Sequence, residues 1–184
     1  MKKQLAAVVE SLESAQSKVR SLGDKISAAA WKKHPAPDAW SAADCVEHLN
    51  LTSHAYVPLL RDAIARARLM RAPAPRHYRQ DLPGRLMGFM MGPMKHIGNF
   101  KIGRVKTTGP FTPRGGKTRE QLLSEFVRLQ SDLITLVRSA DALPIDRVKI
   151  QSPFGRMKYN AYSALIIVSQ HEHRHLQQAE EAAR

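Results

Sequence analysis

Apolar residues recur at helical spacing in four long stretches of this chain. In the first, Leu5, Val8, Val9, Leu12, Ala15, Val19 and Leu22 alternate with charged positions, which predicts a helix over 4–30 that Gly23 weakens or bends. The run Lys32-Lys33-His34-Pro35-Ala36-Pro37-Asp38 breaks it, because two close prolines do not sit inside a helix. Ser41 then reads as an N-cap, with Asp44 in the acidic first turn. A second helix follows over roughly 41–71, with an inward stripe of Cys45, His48, Thr52, Ala55 and Leu59 and a kink or break expected at Pro58. Thr118 caps a third helix, 119–140, whose apolar face is Leu122, Leu123, Phe126, Leu129, Leu133, Leu136 and Val137. The last, 158–183, carries Tyr162, Leu165, Ile166, Val168 and Leu176.

The segments between these helices are unequal. Residues 72–118 are interrupted by prolines and glycines, too long for an ordinary connection in a small helical domain. Within them, Leu82 to Pro93 suits a short, cationic, Met-rich helix, expected to cover one end of the bundle and narrow access to a site there. In the connector 145–158, Val148-Lys149-Ile150-Gln151 alternates like an extended piece, while Pro153 and Gly155 favour a turn. Four long helices with one long crossing connection between the second and third predict an all-α four-helix bundle. The 184 residues suit one domain, 1–184, with the irregular insertion at about 72–118.

Composition refines this picture. Cys45 is the sole cysteine, so no intrachain disulfide is available. No apolar run reaches the roughly 18 residues of a transmembrane helix, and no apolar signal segment follows Met1-Lys2-Lys3; a cytoplasmic location is the default expectation. The net charge of +13 is concentrated: residues 61–119 hold 14 Lys/Arg against 2 Asp/Glu. A non-catalytic module binding an anionic partner, nucleic acid or membrane surface, through this basic 61–119 segment is therefore one function to weigh. The segment has no recognised reading motif and few aromatics for stacking, so no specific nucleic acid is expected.

Candidate chemistry lies in the histidines. In His171-Glu172-His173-Arg174-His175, a rotation of about 100° per residue puts His171 and His175 on one face and turns His173 to the opposite side. Two imidazoles at i and i+4 can share a metal ion. A solvated tail with three surface histidines is the plain alternative. His48, on the apolar stripe of the second helix, is the natural third partner, although such a histidine is commonly a hydrogen-bonded core residue. His54 falls off that stripe, and His34, His77 and His96 lie in irregular segments. Cys45 reads as a small buried apolar residue.

Three stretches together resemble the DinB-like superfamily of bacterial metal-binding four-helix bundles. They are Trp40-Ser41-Ala42-Ala43-Asp44-Cys45-Val46-Glu47-His48-Leu49, Ser152-Pro153-Phe154-Gly155 and His171 to Gln178. The basic stretch Phe100–Pro113 is similar to an insertion in one branch of that family. The resemblance implies a metal triad of His48, His171 and His175. It also implies a divalent ion, nickel or zinc, with positions open to water. Relatives include thiol-dependent S-transferases and isomerases. A metal-dependent transferase or hydrolase acting on a small-molecule substrate, with a low-molecular-weight thiol as partner, is thus the leading expectation. Gln178, one turn after His175, is a candidate supporting amide. Glu47 projects about 100° from His48, and no catalytic base is identified. An apolar bundle face would also suit a homodimer.

Overall fold

The computed structural model describes residues 1–92, 107 and 109–184, together with the backbone of two strands at 95–97 and 100–102. The chain is mostly helical. Its helices are α1 (Lys3–Lys25), α2 (Ala28–Lys32), α3 (Ala42–Leu69), α4 (Leu82–Met91), α5 (Arg119–Ser139) and α6 (Ala161–Ala182). α1 and α3 each pack against both α5 and α6, and α4 lies along α6.

The caps account for the helix starts. Ser41 and Asp44 form a reciprocal capping box on α3, and Thr118 and Gln121 form another on α5. Asn160 accepts from the Ser163 N–H to start α6. The first helix stops earlier than its periodicity suggests. Ser27 accepts from the Ala30 N–H and so begins α2 as a separate turn. Gly23 stays inside α1, where a Cβ would stand 2.5 Å from a Leu123 methyl, so close packing on α5 accounts for it.

Pro58 produces no break, and α3 runs through it. Pro58 is exposed, so the carbonyl it frees, that of exposed His54, faces water. The inward face of α3 is broader than the expected stripe. Cys45, His48 and Thr52 are buried, but Ala55 and Leu59 are only half-buried, and Leu49, Tyr56, Leu60, Ala63 and Ala67 fill the core.

Two short antiparallel hairpins depart from a purely helical chain. β1 (Lys95–Ile97) pairs with β2 (Phe100–Ile102), Ile97 opposite Phe100. β3 (Lys149–Gln151) pairs with β4 (Lys158–Asn160), Ile150 opposite Tyr159. The second hairpin reconciles the alternating pattern with the Pro153 and Gly155 turn signals: the strands flank the turn, and they take the first residues expected of α6. Ile150 and Tyr159 point into the core, where the Tyr159 and Tyr56 hydroxyls meet at 2.5 Å. Among the described residues, no helix is long and apolar enough to cross a membrane.

Candidate metal centre

Two turns into α3, His48 faces the two histidines that α6 presents from one side. One nitrogen from each of His48, His171 and His175 lies within 4.8 Å of the others, and all three residues are buried. The ring centroids are 4.4 to 5.1 Å apart, with the rings edge-on to one another. His48 Nε2 and His171 Nε2 are 3.0 Å apart.

Hydrogen bonds orient the rings. His48 Nδ1 is 2.7 Å from the Phe111 carbonyl, which only accepts, so Nδ1 carries the hydrogen and Nε2 keeps a lone pair. His175 Nδ1 donates likewise to Gln178 Oε1 at 3.1 Å. Gln178 is therefore the supporting amide anticipated on α6. With His48 Nε2 bare, a triad alone requires His171 to donate from Nε2. That leaves His171 Nδ1 as a buried acceptor, and it has no hydrogen-bond partner. A cation held by the three Nε2 lone pairs would remove the conflict. His171 would then carry its hydrogen on Nδ1, with the Met91 backbone carbonyl beside the ring. The donor set fits a divalent ion on this ground.

Electrostatics prepares the same state. Burial, outweighing the Phe111 carbonyl and aided by the Arg174 charge, pulls His48 down to about 4. Burial, then the neighbouring histidines and Arg174, hold His171 and His175 well below the ordinary histidine range. All three are neutral near pH 7, the form that ligates.

Aromatic rings wall the cluster. Trp40, just before the α3 cap, lies 4.8 Å from His48 and 5.6 Å from His175 between ring centroids. Phe154, in the β3–β4 turn, is 5.8 Å from His171 and 4.6 Å from Phe111. Both are half-buried, so they reach from the site toward solvent. The second stretch of the resemblance, Ser152 to Gly155, thus supplies a wall of the site.

Some participants escaped the sequence reading. Phe111 acts through its backbone, which no side-chain pattern reveals. Glu47 is buried and accepts from the Arg114 and Gly115 N–H groups at 3.3 and 3.0 Å. It thereby ties to α3 the loop that brings in the Phe111 carbonyl. The signal was the Gly115-Gly116 pair, both at positive φ (73° and 91°), where a loop bends to aim its N–H groups at an anion.

Among the described residues, the other histidines are not in the cluster. His173 turns away from it, as its phase requires, but is half-buried and bonds Ser11 Oγ of α1 at 2.9 Å, so the solvated-tail alternative fails. His54 pairs with Glu125 at 2.8 Å, His34 bonds the Ala39 carbonyl, and His77 is exposed. The His96 side chain lies outside the described residues. Cys45 is buried in the core beside Asp44, and burial first, then that charge, pushes its thiol far above the ordinary range.

The arrangement defines a class: a helical protein with three buried, neutral histidines converging from two helices. The DinB superfamily matches residues 11–179, and the chain belongs to that superfamily. No curated protein and no solved structure matches it.

Proposed function

We propose that this protein is a four-helix bundle, with about 72–118 as the crossing connection, that binds one divalent ion, nickel or zinc, through His48, His171 and His175. The observation that carries the reading is the convergence of three buried imidazoles within 4.8 Å, two with Nε2 freed by a bond at Nδ1. Three neutral ligands leave an ion's charge uncompensated and positions open, so a bound ion would lower the pKa of a water or thiol there and supply a nucleophile at neutral pH. The chain's residues do the rest. The Phe111 carbonyl and Gln178 fix two tautomers and ring planes. Trp40 and Phe154 limit water and offer apolar walls to a small substrate. With no buried carboxylate among the ligands, the site favours an incoming anion such as a thiolate. The function proposed is a metal-dependent transfer to, or hydrolysis of, a small molecule, with a low-molecular-weight thiol as co-substrate.

Elemental analysis of protein grown with nickel and zinc tests it. Wild type should carry about one ion per chain and His171→Ala, His175→Ala and His48→Ala little or none. Metal-free wild type, or a His171→Ala protein that retains a full equivalent, overturns the site. Thiol-conjugation and ester-hydrolysis screens on metal-loaded wild type, with the three variants as blanks, then separate the two reactions.

A further inference from the structure

α4 has the polarity of a surface helix reversed. Gly84, Gly88 and Met91 share the face turned to α6 and are buried there. A Cβ on Gly84 would fall 2.2 Å from Ser163 Cβ, so backbone approaches side chain directly. The opposite face, rotated by about 180°, carries Leu82, Leu86 and Met90, which are 78%, 51% and 39% exposed, with Phe89 beside them 64% exposed. Arg85 is the one charged residue of α4, exposed on its flank. An ordinary surface helix turns charge to water and apolar residues inward.

Hydrogen bonds at both ends hold the helix in that pose. Arg174 of α6 donates to the Met90 and Gly92 carbonyls at its C-terminal end. Asp81 caps its N-terminus and also binds Ser163, the Asn160 N–H and Lys149. The apolar face is therefore presented by the fold and not by a fraying segment. It sits in the part of the chain with 14 Lys/Arg and 2 Asp/Glu. Both acidic residues are taken: Asp81 by Lys149 and Asp62 by Arg66. Arg79 and Arg85, on either side of the helix start, are exposed.

We propose that the outer face of α4 is a docking surface for an anionic lipid bilayer, with Leu82, Leu86 and Met90 entering the headgroup boundary and Arg79 and Arg85 meeting lipid phosphates. Exposed apolar side chains flanked by cations are the recognition pattern of a peripheral membrane helix. Charge complementarity favours this occupant over a second copy, since two such faces would bring two excesses of positive charge together. Docking there would put the end of α4 that adjoins His171 beside the bilayer.

Sedimentation with vesicles tests the proposal, using phosphatidylcholine alone and a mixture with about one part phosphatidylglycerol in three. Wild type should pellet with the anionic vesicles only, and high salt should release it. Leu82→Ser/Leu86→Ser should weaken binding about tenfold, and Arg85→Glu should weaken it while leaving the apolar face intact. Unchanged helical circular dichroism and melting would establish that both variants fold. Wild type that stays in the supernatant overturns the proposal. So does a double variant that binds like wild type, which would assign the attraction to charge alone. A wild-type dimer in light scattering that Leu82→Ser/Leu86→Ser dissolves, without vesicle binding, would assign the face to self-association and also overturn it.

Discussion

Replacing Glu172 by Gln should stabilise the protein, and the gain should grow with pH. Glu172 is 1% exposed, one residue from His171 but facing Gln130 of α5 instead of the histidine cluster. Neither carboxylate oxygen has a hydrogen-bond partner. Burial drives its pKa up to about 8 from 4.5, against a smaller opposing effect of the Gln130 amide. In the folded chain the group stays protonated through neutral pH, whereas in the unfolded chain it ionises near 4.5. Between those values the folded state binds more protons, so stability falls as pH rises. The loss begins above the unfolded pKa and is complete once pH passes about 8. At about 1.4 kcal/mol per pKa unit it reaches roughly 5 kcal/mol, an upper figure because the core relaxes and water enters. Gln has the same shape and no charge to lose. Urea unfolding of metal-free wild type and Glu172→Gln, at about pH 5 and about pH 8.5, measures the difference and cancels every other titrating group. The unfolding free energies should be close at the lower pH and differ by several kcal/mol at the higher. A pH-independent difference, or a variant less stable at the higher pH, would refute the reasoning.

Glu47→Ala should lower metal affinity about tenfold in a chelator competition, because it releases the loop that holds the Phe111 carbonyl on His48, while the helical spectrum stays unchanged. Gly84→Ala should cost about 1–3 kcal/mol in denaturant unfolding, since its Cβ meets Ser163 Cβ at 2.2 Å and α4 must lift from α6. Cys45 should resist a disulfide-exchange reagent in the native protein and react fully in denaturant, since burial keeps it inaccessible and protonated; fast native labelling would contradict the packing around α3.

What could be read along the chain depended on how far each interaction reaches. Ser41, Asp44, Thr118 and Gln121 act within one turn, so their capping boxes mark the starts of α3 and α5 in the sequence itself. The phase of His171 and His175 is equally local, and it separates them from His173. His48 lies 123 residues from its partner; its place on an apolar stripe made it a candidate, and the family resemblance gave it its role before the fold joined it to the pair. The Phe111 carbonyl and the Glu47 clamp were illegible for a further reason. Each works through backbone groups, and their partners are 63 to 68 residues away in an irregular segment. Pro58 leaves α3 unbroken because a proline's effect depends on which side of the helix it occupies, and here that side is solvent.

The polar run His171 to His175 shows why the last helix was the hardest to read and why it matters most. Periodicity separates a wet face from a dry one, and α6 over these residues has no fully exposed face, His173 alone being half-buried. His171 meets His48 of α3, Glu172 faces Gln130 of α5, and His173 bonds Ser11 of α1. Arg174 holds the end of α4, and His175 lies under Trp40 and bonds Gln178. Five successive residues thus fix five different neighbours, and a sequence that looks like a solvated tail is instead packed on every side. The consequence for the histidine cluster is preorganisation. The backbone between His171 and His175 cannot rotate without breaking contacts to α1, α4 and α5 together, so two of the three imidazoles are placed by the fold itself. The third is set by the loop that Glu47 ties down. Site geometry should therefore respond more to changes at Glu47 and Phe111 than to exposed substitutions on α6.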